Sequence, residues 1–423
     1  MRDAEGQKVV VIGQGYVGLP VAMRAAQVGF RVVGLDIDAR RIGELRNGHS
    51  YVGDISSREL QDALEAGVFT PTTSYDEASD FDVAVITVPT PLRESLPDLS
   101  FIEFAAKDLA PYVRAGSIVI LESTTYPGTT EELLIPLLES GSGLVAGVDF
   151  HVGYSPERID PGNKKYGFVE TPKVVSGINE TSLKAVKDFY DSLVETTVPV
   201  SGTREAELTK LLENTFRHVN IALVNELAVF AHQLGINIWE SIDAASSKPF
   251  GYMRFTPGPG VGGHCLPVDP SYLSWQVRKE LGQNFRFVEL ANDVNEHMPN
   301  YVVQRLTSLL NDASKPVRGS VILLVGLSYK KNTGDIREAP SLRIIELLHQ
   351  LGATVLGHDG FVEDYDIPDG VRMVSLSREV LETCDAALLL TDHDGSDYSL
   401  LEDSICPILD TRNLLSGQSV ERL

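Results

Sequence analysis

The sequence predicts an α/β protein in which two doubly wound domains are joined by a central helical domain. Strand-like runs of valine, isoleucine and leucine alternate with helical patterns near both ends of the chain, and a long stretch without glycine or proline lies between them. The length of 423 residues exceeds what one hydrophobic core usually serves. We therefore expect domains at residues 1–202, 203–312 and 313–423.

The composition restricts the classes of function. A formal net charge of -23 argues against a nucleic-acid partner and against binding to an anionic membrane. No apolar run has the length of a membrane span, and the first residues lack the apolar core of a signal peptide, so we expect a cytoplasmic protein. The three cysteines show no C-x-x-C spacing, which excludes a disulfide framework and a zinc finger.

The first domain begins with a dinucleotide-binding pattern. The apolar run from Lys8 to Ile12 is followed by G-x-G-x-x-G, by a helical pattern and by a second strand that ends at Asp36. Such glycines let a pyrophosphate lie against the amides of a helix N-terminus, and the acidic residue accepts hydrogen bonds from ribose hydroxyls. The candidate cofactor-binding residues of this segment are Gly13, Gly15, Tyr16, Val17, Gly18, Asp36 and Arg41.

The charge of Asp36 favours NAD over NADP, because it would repel a 2′-phosphate. Arg40 and Arg41 follow closely and leave NADP open as an alternative. Further along, two predicted strands run into loops that contain Pro89 with Thr90 and, in the second loop, Thr124. Ligands collect at the carboxyl ends of parallel strands, so we expect both loops beside the nicotinamide ring.

The proline- and glycine-rich stretch 150–163 carries Glu157 and Arg158. Two interpretations remain open: an ordinary connection with a solvated ion pair, or part of a site. The long helical stretch that starts at Thr203 places Lys210 and Asn214 four residues apart, and therefore on one face. Such a pair can hold an oxyanion, although a solvated polar stripe is the alternative.

The segment from Phe255 to Pro270, FTPGPGVGGHCLPVDP, is predicted to be a shaped loop, because its glycines and prolines disfavour regular structure. Gly262 and Gly263 would let the backbone approach a ligand, and the prolines would limit the movement of Cys265. The alternative is a tight surface turn with an incidental cysteine. Asp269 follows the cysteine by four residues.

The last domain has strand and helix patterns but no dinucleotide glycines. Lys330, Lys331 and Arg337 follow its first strand, and Arg412 follows its last strand, which indicates a phosphate-bearing ligand other than a dinucleotide. Histidines and aspartates also follow these strands, but their spacing matches no standard metal site, so we expect solvated loops and no metal. These histidines and aspartates are His358, His393, Asp359, Asp392 and Asp394. Cys384 and Cys406 are predicted to be small core residues.

Seven motifs in this order resemble those of the nucleotide-sugar 6-dehydrogenases, the family that includes UDP-glucose, UDP-N-acetylhexosamine and GDP-mannose dehydrogenases. They are GQGYVGLP, STTYPGTT, SPERIDPGN, ELTKLLENTFR, GPGVGGHCLPVDP, KNTGDIRE and DTRN. The resemblance covers essentially the whole chain. It implies an N-terminal NAD-binding domain, a central helical domain that forms a homodimer, and a C-terminal domain that binds a UDP-sugar.

The activity implied by this resemblance is a four-electron oxidation of the sugar at C6, from alcohol through aldehyde to carboxylate, with Cys265 as the nucleophile that captures the aldehyde. Matching to the family motifs makes Lys210 and Asn214 stabilisers of the C6 oxygen, and makes Asp269, Thr124 and Glu157 the groups that order or deprotonate water. Arg337 would contact the cofactor. The implied substrate-binding residues are Glu157, Arg158, Lys210, Asn214, Arg254, Gly262, Lys330 and Arg412.

Three sugars remain open. SPERIDPGN and GPGVGGHC resemble the UDP-N-acetylhexosamine branch, so we expect UDP-N-acetylglucosamine first, with UDP-glucose and UDP-N-acetylmannosamine as alternatives. Two other classes of function are weighed against these: a two-electron dehydrogenase of the 6-phosphogluconate type, which would not need Cys265, and a regulatory NAD-binding module without turnover.

Overall fold

The computed structural model describes residues 6–93, 96–159, 166–263, 266, 268–363 and 366–423. The chain divides into two compact units, Met1–Glu213 and Asn214–Leu423. The division falls within one helix of 31 residues, Thr203–Gln233. No helix in the described part of the chain is long and apolar enough to cross a membrane.

The first unit is built on a six-stranded parallel sheet whose spatial order is β3-β2-β1-β4-β7-β8. Its strands are β1 Lys8–Ile12, β2 Arg31–Leu35, β3 Phe69–Thr72, β4 Val83–Ile86, β7 Ile118–Leu121 and β8 His151–Tyr154. Two-residue strands β5 Leu92–Arg93 and β6 Leu96–Pro97 form an antiparallel pair, and β9 Lys173–Val175 pairs in parallel with β10 Thr197–Pro199. This is the strand order of a dinucleotide-binding domain, in which the order reverses between β1 and β4.

Helices cover both faces of this sheet because successive strand residues point to opposite sides. Val9 and Val11 belong to the core cluster of the first three helices and the sixth, whereas Val10 and Ile12 belong to the cluster of the fourth and fifth helices. The helices are α1 Gly18–Gln27, α2 Ala39–Arg46, α3 Ser57–Glu65, α4 Ser100–Leu109, α5 Ile135–Ser142 and α6 Glu180–Tyr190. Short helical turns occur at Tyr75–Ala78, Ala110–Tyr112 and Thr130–Leu134. Burial on both faces explains why the strands are uniformly apolar.

The second unit contains most of the long helix α7 Thr203–Gln233, further helices and a second parallel sheet ordered β13-β12-β11-β14-β15-β16. Its strands are β11 Val321–Val325, β12 Thr354–His358, β13 Val371–Met373, β14 Ala386–Leu389, β15 Ile408–Asp410 and β16 Val420–Arg422. Its remaining helices are α8 Ile238–Ser246, α9 Asp269–Leu281, α10 Arg286–Asp312, α11 Pro340–Leu351, α12 Arg378–Thr383 and α13 Ser399–Glu402. The second sheet repeats the order of the first, so the predicted fold class is confirmed.

The second sheet uses an acidic residue after its second strand for a structural purpose. The carboxylate of Asp359 accepts hydrogen bonds from the amides of Leu327 and Phe361 at 2.7 and 2.9 Å, and from Nε2 of His393 at 3.1 Å. Phe361 stacks on the His393 ring. Both members of the Asp359–His393 pair are buried, so the expectation of solvated loops is wrong for them. Cys384 and Cys406 are buried as predicted, and burial raises the pKa of both thiols.

These contacts predict that the stability of the second unit depends on pH. Burial alone would raise the pKa of Asp359, but hydrogen bonds from His393 and the backbone outweigh it and lower the pKa from 3.8 to about 2. The ionised group therefore contributes about 2 kcal/mol to unfolding free energy above pH 4, and this contribution is lost as the pH falls toward 2. We expect Asp359→Asn to destabilise the second unit by about that amount at pH 7 and by less at pH 3.

Tryptophan fluorescence during urea unfolding measures this difference, because both tryptophans of the chain, Trp239 and Trp275, belong to the second unit. Asp369→Asn, a change at an exposed aspartate of the same unit, serves as the matched control. A difference between wild type and Asp359→Asn that is the same at pH 7 and pH 3 would contradict this account.

Candidate active site

Three glycines after β1 have three separate reasons to lack a side chain. Gly13 has φ +96°, and a Cβ there would lie 2.8 Å from the carbonyl oxygen of Thr87. A Cβ on Gly18 would lie 1.8 Å from the carbonyl oxygen of Gly13, so the start of α1 packs directly on the turn. A Cβ on Gly15 would meet nothing within 4 Å. The turn, the close packing and the open approach are the three features that a bound pyrophosphate needs.

Asp36, at the end of β2, is held by the turn that it faces. Its Oδ2 accepts from the amide of Gln14 at 2.8 Å, and its Oδ1 accepts from the amide of Asp38 at 2.9 Å. Arg41 Nη1 lies 3.6 Å from the same carboxylate, and Arg41 also approaches Asp38. The arginine that could have served a 2′-phosphate is therefore paired with two carboxylates, which favours a ribose with free hydroxyls.

The described residues of the first unit thus fit a dinucleotide. Tyr16 is half-exposed beside the turn, and Val17 stands at the N-cap of α1. Pro89 and Thr90 follow β4, where Ser123 Oγ donates to the carbonyl of Val88 at 2.7 Å and joins the loops after β4 and β7. This bond joins the two loops, and their place beside the nicotinamide ring stays a prediction.

Lys210 meets the loop after β7. Its Nζ lies 2.5 Å from Oγ1 of Thr124, and its charge also helps to lower the pKa of Glu157. Thr124 lies three residues beyond Leu121, the last residue of β7, so a cation stands at the carboxyl end of the sheet. The sequence predicted both residues for the site, and the structure brings them together.

One helical turn earlier, Glu207 fixes this loop to α7. Its carboxylate accepts from the amides of Gly128 and Thr130 at 2.5 and 2.9 Å and from the Thr130 hydroxyl at 2.6 Å. Burial raises the pKa of Glu207 to about 7, against the effect of these hydrogen bonds. Glu207 is not among the residues that the sequence predicts for the site, although its spacing of three residues from Lys210 places it on a neighbouring part of the same helical face.

Glu157 belongs to a buried cluster of charged groups. Lys173 Nζ lies 2.9 Å from Oε2 of Glu157 and 3.1 Å from Oε1 of Glu122, and Tyr190 donates its hydroxyl proton to Glu122. Oε1 of Glu157 accepts from the amides of Arg158 and Ile159 at 2.6 and 2.7 Å. Both oxygens of Glu157 are therefore engaged.

Burial and charge act on this cluster in opposite directions. Burial would raise the pKa of Glu157, but Lys173, the backbone amide of Ile159 and Lys210 together outweigh burial and lower that pKa below its ordinary value. Burial likewise opposes the charge of Lys173, yet Glu122 and Glu157 together raise its pKa. Burial raises the pKa of Glu122, which makes it the more readily protonated carboxyl of the two. A cationic Lys173 with an ionised Glu157 is the stable arrangement.

Arg158 points to a different partner from Glu157. Its guanidinium pairs with Glu213 at 2.6 Å and donates to the carbonyl of Pro172 at 2.6 Å. The interpretation of residues 157 and 158 as one solvated ion pair is therefore wrong. Residues 160–163 of this stretch lie outside the described residues.

Two further predicted residues meet in the second unit. Asn214 Nδ2 donates to Oδ2 of Asp269 at 2.6 Å, and both residues are buried. Asp269 is the first residue of α9, where a carboxylate interacts favourably with the helix dipole. The amide thus holds the carboxylate in place.

Cys265 and its neighbours His264 and Pro267 lie outside the described residues. The preceding glycines do not face empty space: a Cβ on Gly262 would lie 2.6 Å from the carbonyl of Glu338, and one on Gly263 would lie 2.6 Å from the ring of Tyr329. The amide of Gly263 also donates to the carbonyl of Arg337 at 3.2 Å. Close packing of protein against protein is thus a reason for these glycines that the sequence did not reveal.

Basic side chains of the second unit have varied surroundings. Arg412 is half-buried, its Nε donates to the carbonyl of Leu390 at 2.5 Å, and neither Nη atom has a hydrogen-bond partner among the described residues. Burial lowers the pKa of its guanidinium, against Asp392 and Asp410. Arg337 pairs with Asp335, and Arg254 pairs with Asp243 at 2.6 Å. Lys330 is half-buried in the loop after β11.

The domains of one known family match most of the chain. Three domains of the UDP-glucose/GDP-mannose dehydrogenase family match: the NAD-binding domain at residues 7–194, the central domain at 204–297 and the UDP-binding domain at 323–417.

Individual relatives match with similar coverage. A UDP-N-acetyl-D-mannosamine dehydrogenase of Pyrococcus horikoshii is 36% identical over 387 residues, 91% of this chain and 89% of that protein. A UDP-N-acetyl-D-glucosamine 6-dehydrogenase of Pseudomonas aeruginosa is 37% identical over 361 residues, 85% of this chain and 84% of that protein. A solved structure of UDP-D-ManNAc dehydrogenase from Pyrococcus horikoshii has a TM-score of 0.89 at 34% identity and covers 98% of both chains.

Proposed function

Because the chain belongs to the UDP-glucose/GDP-mannose dehydrogenase family, we propose that it oxidises the C6 alcohol of a UDP-N-acetylhexosamine to a carboxylate. It is an NAD-dependent oxidoreductase. The observation that carries the proposed chemistry is the contact of Lys210 with Thr124 at the carboxyl end of the NAD-domain sheet. A cation at this position can stabilise the negative charge that develops on an alcohol oxygen as its carbon loses a hydride.

The choice of sugar rests on the relatives. Proteins named for UDP-N-acetyl-D-mannosamine and for UDP-N-acetyl-D-glucosamine match this chain at 36% and 37% identity, and the former matches over the larger share of the chain. We therefore place UDP-N-acetylmannosamine beside UDP-N-acetylglucosamine, which the motifs alone put first. The two sugars differ in configuration at C2 and share the acetamido group. UDP-glucose, which lacks that group, becomes the third candidate.

Cys265 supplies the nucleophile in this proposal. An aldehyde cannot lose a hydride until a nucleophile adds to its carbon, and the thiolate forms the required thiohemiacetal. Loss of hydride then gives a thioester, whose hydrolysis by water releases the carboxylate and regenerates the thiol. NAD, when bound, accepts the hydride in each oxidation. An unperturbed thiol is a few per cent ionised at pH 7, so full ionisation offers about 30-fold in rate.

The two carboxylates proposed as bases differ in their surroundings. The Glu157 carboxylate accepts hydrogen bonds from Lys173 and from two backbone amides. These bonds fix the strand-end loop at residues 155–159 and lower the basicity of the carboxylate. Asp269 accepts a hydrogen bond from the amide of Asn214. Because the basicity of Glu157 is lowered, we assign Asp269 as the group that orders or deprotonates the hydrolytic water, and Glu157 as a residue that positions the loop.

Arg412 and Lys330 are the proposed contacts for the nucleotide. The half-buried guanidinium of Arg412 has two Nη groups without partners among the described residues, and a bound diphosphate would satisfy both in the bidentate geometry that arginine favours. Family boundaries near residues 204 and 323 support the three-domain division at 1–202, 203–312 and 313–423. Arg337 stays a proposed cofactor contact, and Arg254 and Gly262 stay proposed substrate contacts.

Homodimer formation through α7 is part of the proposal. An apolar stripe on this helix and on the turn that follows it is 44 to 72% exposed, and its members recur at intervals of seven, four, three and four residues, as in a packed helix seam. The stripe comprises Phe216, Leu223, Leu227, Phe230 and Leu234. Light scattering should give twice the mass of the chain, and Leu227→Glu should give monomer. A monomeric wild type at micromolar concentration would overturn the proposal.

A panel of UDP-sugars tests the function. NADH release is followed at 340 nm with UDP-N-acetylmannosamine, UDP-N-acetylglucosamine, UDP-glucose, UDP-galactose and GDP-mannose. We expect one of the two acetamido sugars to give the highest kcat/KM, with two NADH formed per uronate. One NADH per sugar would instead indicate a two-electron dehydrogenase, and tight NAD binding without turnover would indicate a regulatory module. A tenfold preference for UDP-glucose, about 1.4 kcal/mol, would overturn the choice of sugar.

A further inference from the structure

A buried run of side-chain amides connects two helices of the second unit to the start of the cysteine loop. We define the cysteine loop as residues 255–263, the described stretch that leads to Cys265. The amide nitrogen of Gly258 donates to Oδ1 of Asn225, a fully buried residue of α7, at 3.0 Å. Asn225 Nδ2 donates to Oδ1 of Asn295 on α10 at 2.9 Å. No described feature of the proposed chemistry uses either residue.

The run continues to a histidine. Asn295 Nδ2 lies 3.3 Å from the carbonyl oxygen of His218 and 3.3 Å from Nδ1 of the same residue. His218 Nε2 lies 2.7 Å from Oδ1 of Asn292. His218 and Asn295 are 2% and 4% exposed, so water does not compete for these groups. Asn225, His218 and Asn295 are buried and paired, a state in which polar networks specify one arrangement, and Asn292 is half-buried.

Backbone groups at both ends fix the direction of every hydrogen bond in this run. The Gly258 N–H can only donate, so the oxygen of Asn225 must face the loop and its nitrogen must face Asn295. The carbonyl of His218 can only accept, so the nitrogen of Asn295 must face it. That nitrogen also faces His218 Nδ1, which is therefore an acceptor, and the ring proton resides on Nε2 and is donated to Asn292.

The run therefore requires a neutral His218. A proton on Nδ1 would oppose the N–H groups of Asn295 and turn that amide away from Asn225. Burial lowers the pKa of His218, although its bond to Asn292 acts in the opposite direction. The geometry and the desolvation of the ring therefore both favour the neutral form of His218.

We propose that Asn225 is a positioning residue for the thiol of Cys265, and that Asn295 and His218 hold the Asn225 amide in the one orientation that can fix the cysteine loop. Gly258 begins the segment that leads to the cysteine, and this segment is also held at Gly263, whose amide donates to the carbonyl of Arg337. Pro257 and Pro259 flank the fixed amide and limit rotation on either side of it. Fixing Gly258 therefore sets where the following residues run.

The inference rests on the proposed function, because positioning matters only if the thiol captures an aldehyde. A thiol that is displaced by even 1 Å reacts more slowly. A substitution far from the reacting atoms that causes such a displacement can lower the rate by up to about 100-fold. Capture competes with escape of the aldehyde into solution. Loss of Asn225 should therefore change how the intermediate divides between escape and oxidation, as well as the rate.

The test measures this division directly. Wild type and Asn225→Ala are compared with NAD, UDP-N-acetylmannosamine or UDP-N-acetylglucosamine, and a hydroxylamine trap that converts free aldehyde to an oxime. We expect kcat for uronate to fall roughly tenfold, KM for both substrates to change less than about threefold, and the ratio of oxime to uronate to rise by at least about fivefold. Asn220→Ala is the matched control, because Asn220 lies on the same helix and, among the residues that the structure describes, bonds only to the carbonyl of Phe216.

A second pair of variants covers the case in which Asn225→Ala does not fold. His218→Asn places an amide oxygen near the position of Nδ1 and should behave as wild type, whereas His218→Leu removes the acceptor and should raise the oxime ratio. An unchanged ratio in a folded Asn225→Ala or His218→Leu protein would overturn the inference. Failure of the proposed function looks different, since Cys265→Ala would then form uronate at the wild-type rate while these variants change nothing.

Discussion

Cys265→Ala is expected to abolish uronate formation, with a loss of about 1000-fold or more, because the proposed route has no other group to capture the aldehyde. In that route the first oxidation does not need the thiol, so the variant should still form the aldehyde. Trapping with hydroxylamine should then give one NADH per oxime and almost no acid. The measurement is NADH release at 340 nm together with separation of oxime and uronate.

Cys406→Ala is the matched control for this substitution. Cys406 is buried, its pKa is raised by burial, and it lies among core residues of the second sheet. We expect the control to form uronate within about twofold of wild type, since small changes in a core affect stability more than chemistry. Wild-type rates of uronate formation in Cys265→Ala would exclude the thioester route.

Lys210→Met is expected to lower kcat by about 100-fold or more, which corresponds to about 2.7 kcal/mol of lost transition-state stabilisation. The ammonium lies 2.5 Å from the Thr124 hydroxyl and influences Glu157, so its charge is directed at the carboxyl end of the sheet. Methionine retains much of the length of the side chain and removes the charge. KM should change little if the ammonium acts mainly on the developing oxyanion.

Lys184→Met controls for the loss of a lysine. Lys184 lies on α6, its side chain is 77% exposed, and it pairs only with Asp188 in the described part of the chain. We expect kcat and KM of this variant with the preferred UDP-sugar to equal those of the wild type in steady-state kinetics. If Lys210→Met retains kcat and loses only affinity, Lys210 binds the ground state and the assignment to the oxyanion is wrong.

Local patterns carried the prediction of the fold. Residues Lys8–Ile12 and Val321–Val325 are apolar on both faces, and only strands covered by helices on both sides require this. The long helix was predicted from Thr203 because no glycine or proline interrupts it, and it ends at Gln233, two residues before Gly235. Lys210 and Thr124 were both selected because strand ends and helix faces place side chains by simple geometry.

Partners distant in the sequence were not predictable in this way. Lys173 lies in a short strand between apolar residues, and no local sequence pattern indicates its two carboxylate partners. These partners, Glu122 and Glu157, precede it by 51 and 16 residues. The Asn225 amide likewise pairs with Asn295, 70 residues later. Buried polar groups must find hydrogen bonds, but the sequence does not state where.

The glycines of the cysteine loop illustrate a third limit. The sequence predicts that a ligand approaches the backbone closely at Gly262 and Gly263. In the structure, Tyr329 and the backbone of Glu338 fill the space that side chains there would need. A glycine indicates that something lies close to the backbone, but it does not indicate whether that neighbour is a ligand or another part of the protein.

A covalent sugar acyl group on Cys265 is the most direct test of the central claim that one thiol carries the substrate through its second oxidation. The enzyme is mixed with NAD and its preferred UDP-sugar, quenched with acid at short times, and digested for mass analysis of the peptide that contains Cys265. We expect that peptide to gain the mass of the acyl group early in turnover and to lose it as uronate accumulates. Uronate that accumulates at the full rate while the Cys265 peptide stays unmodified at every quench time would contradict the account.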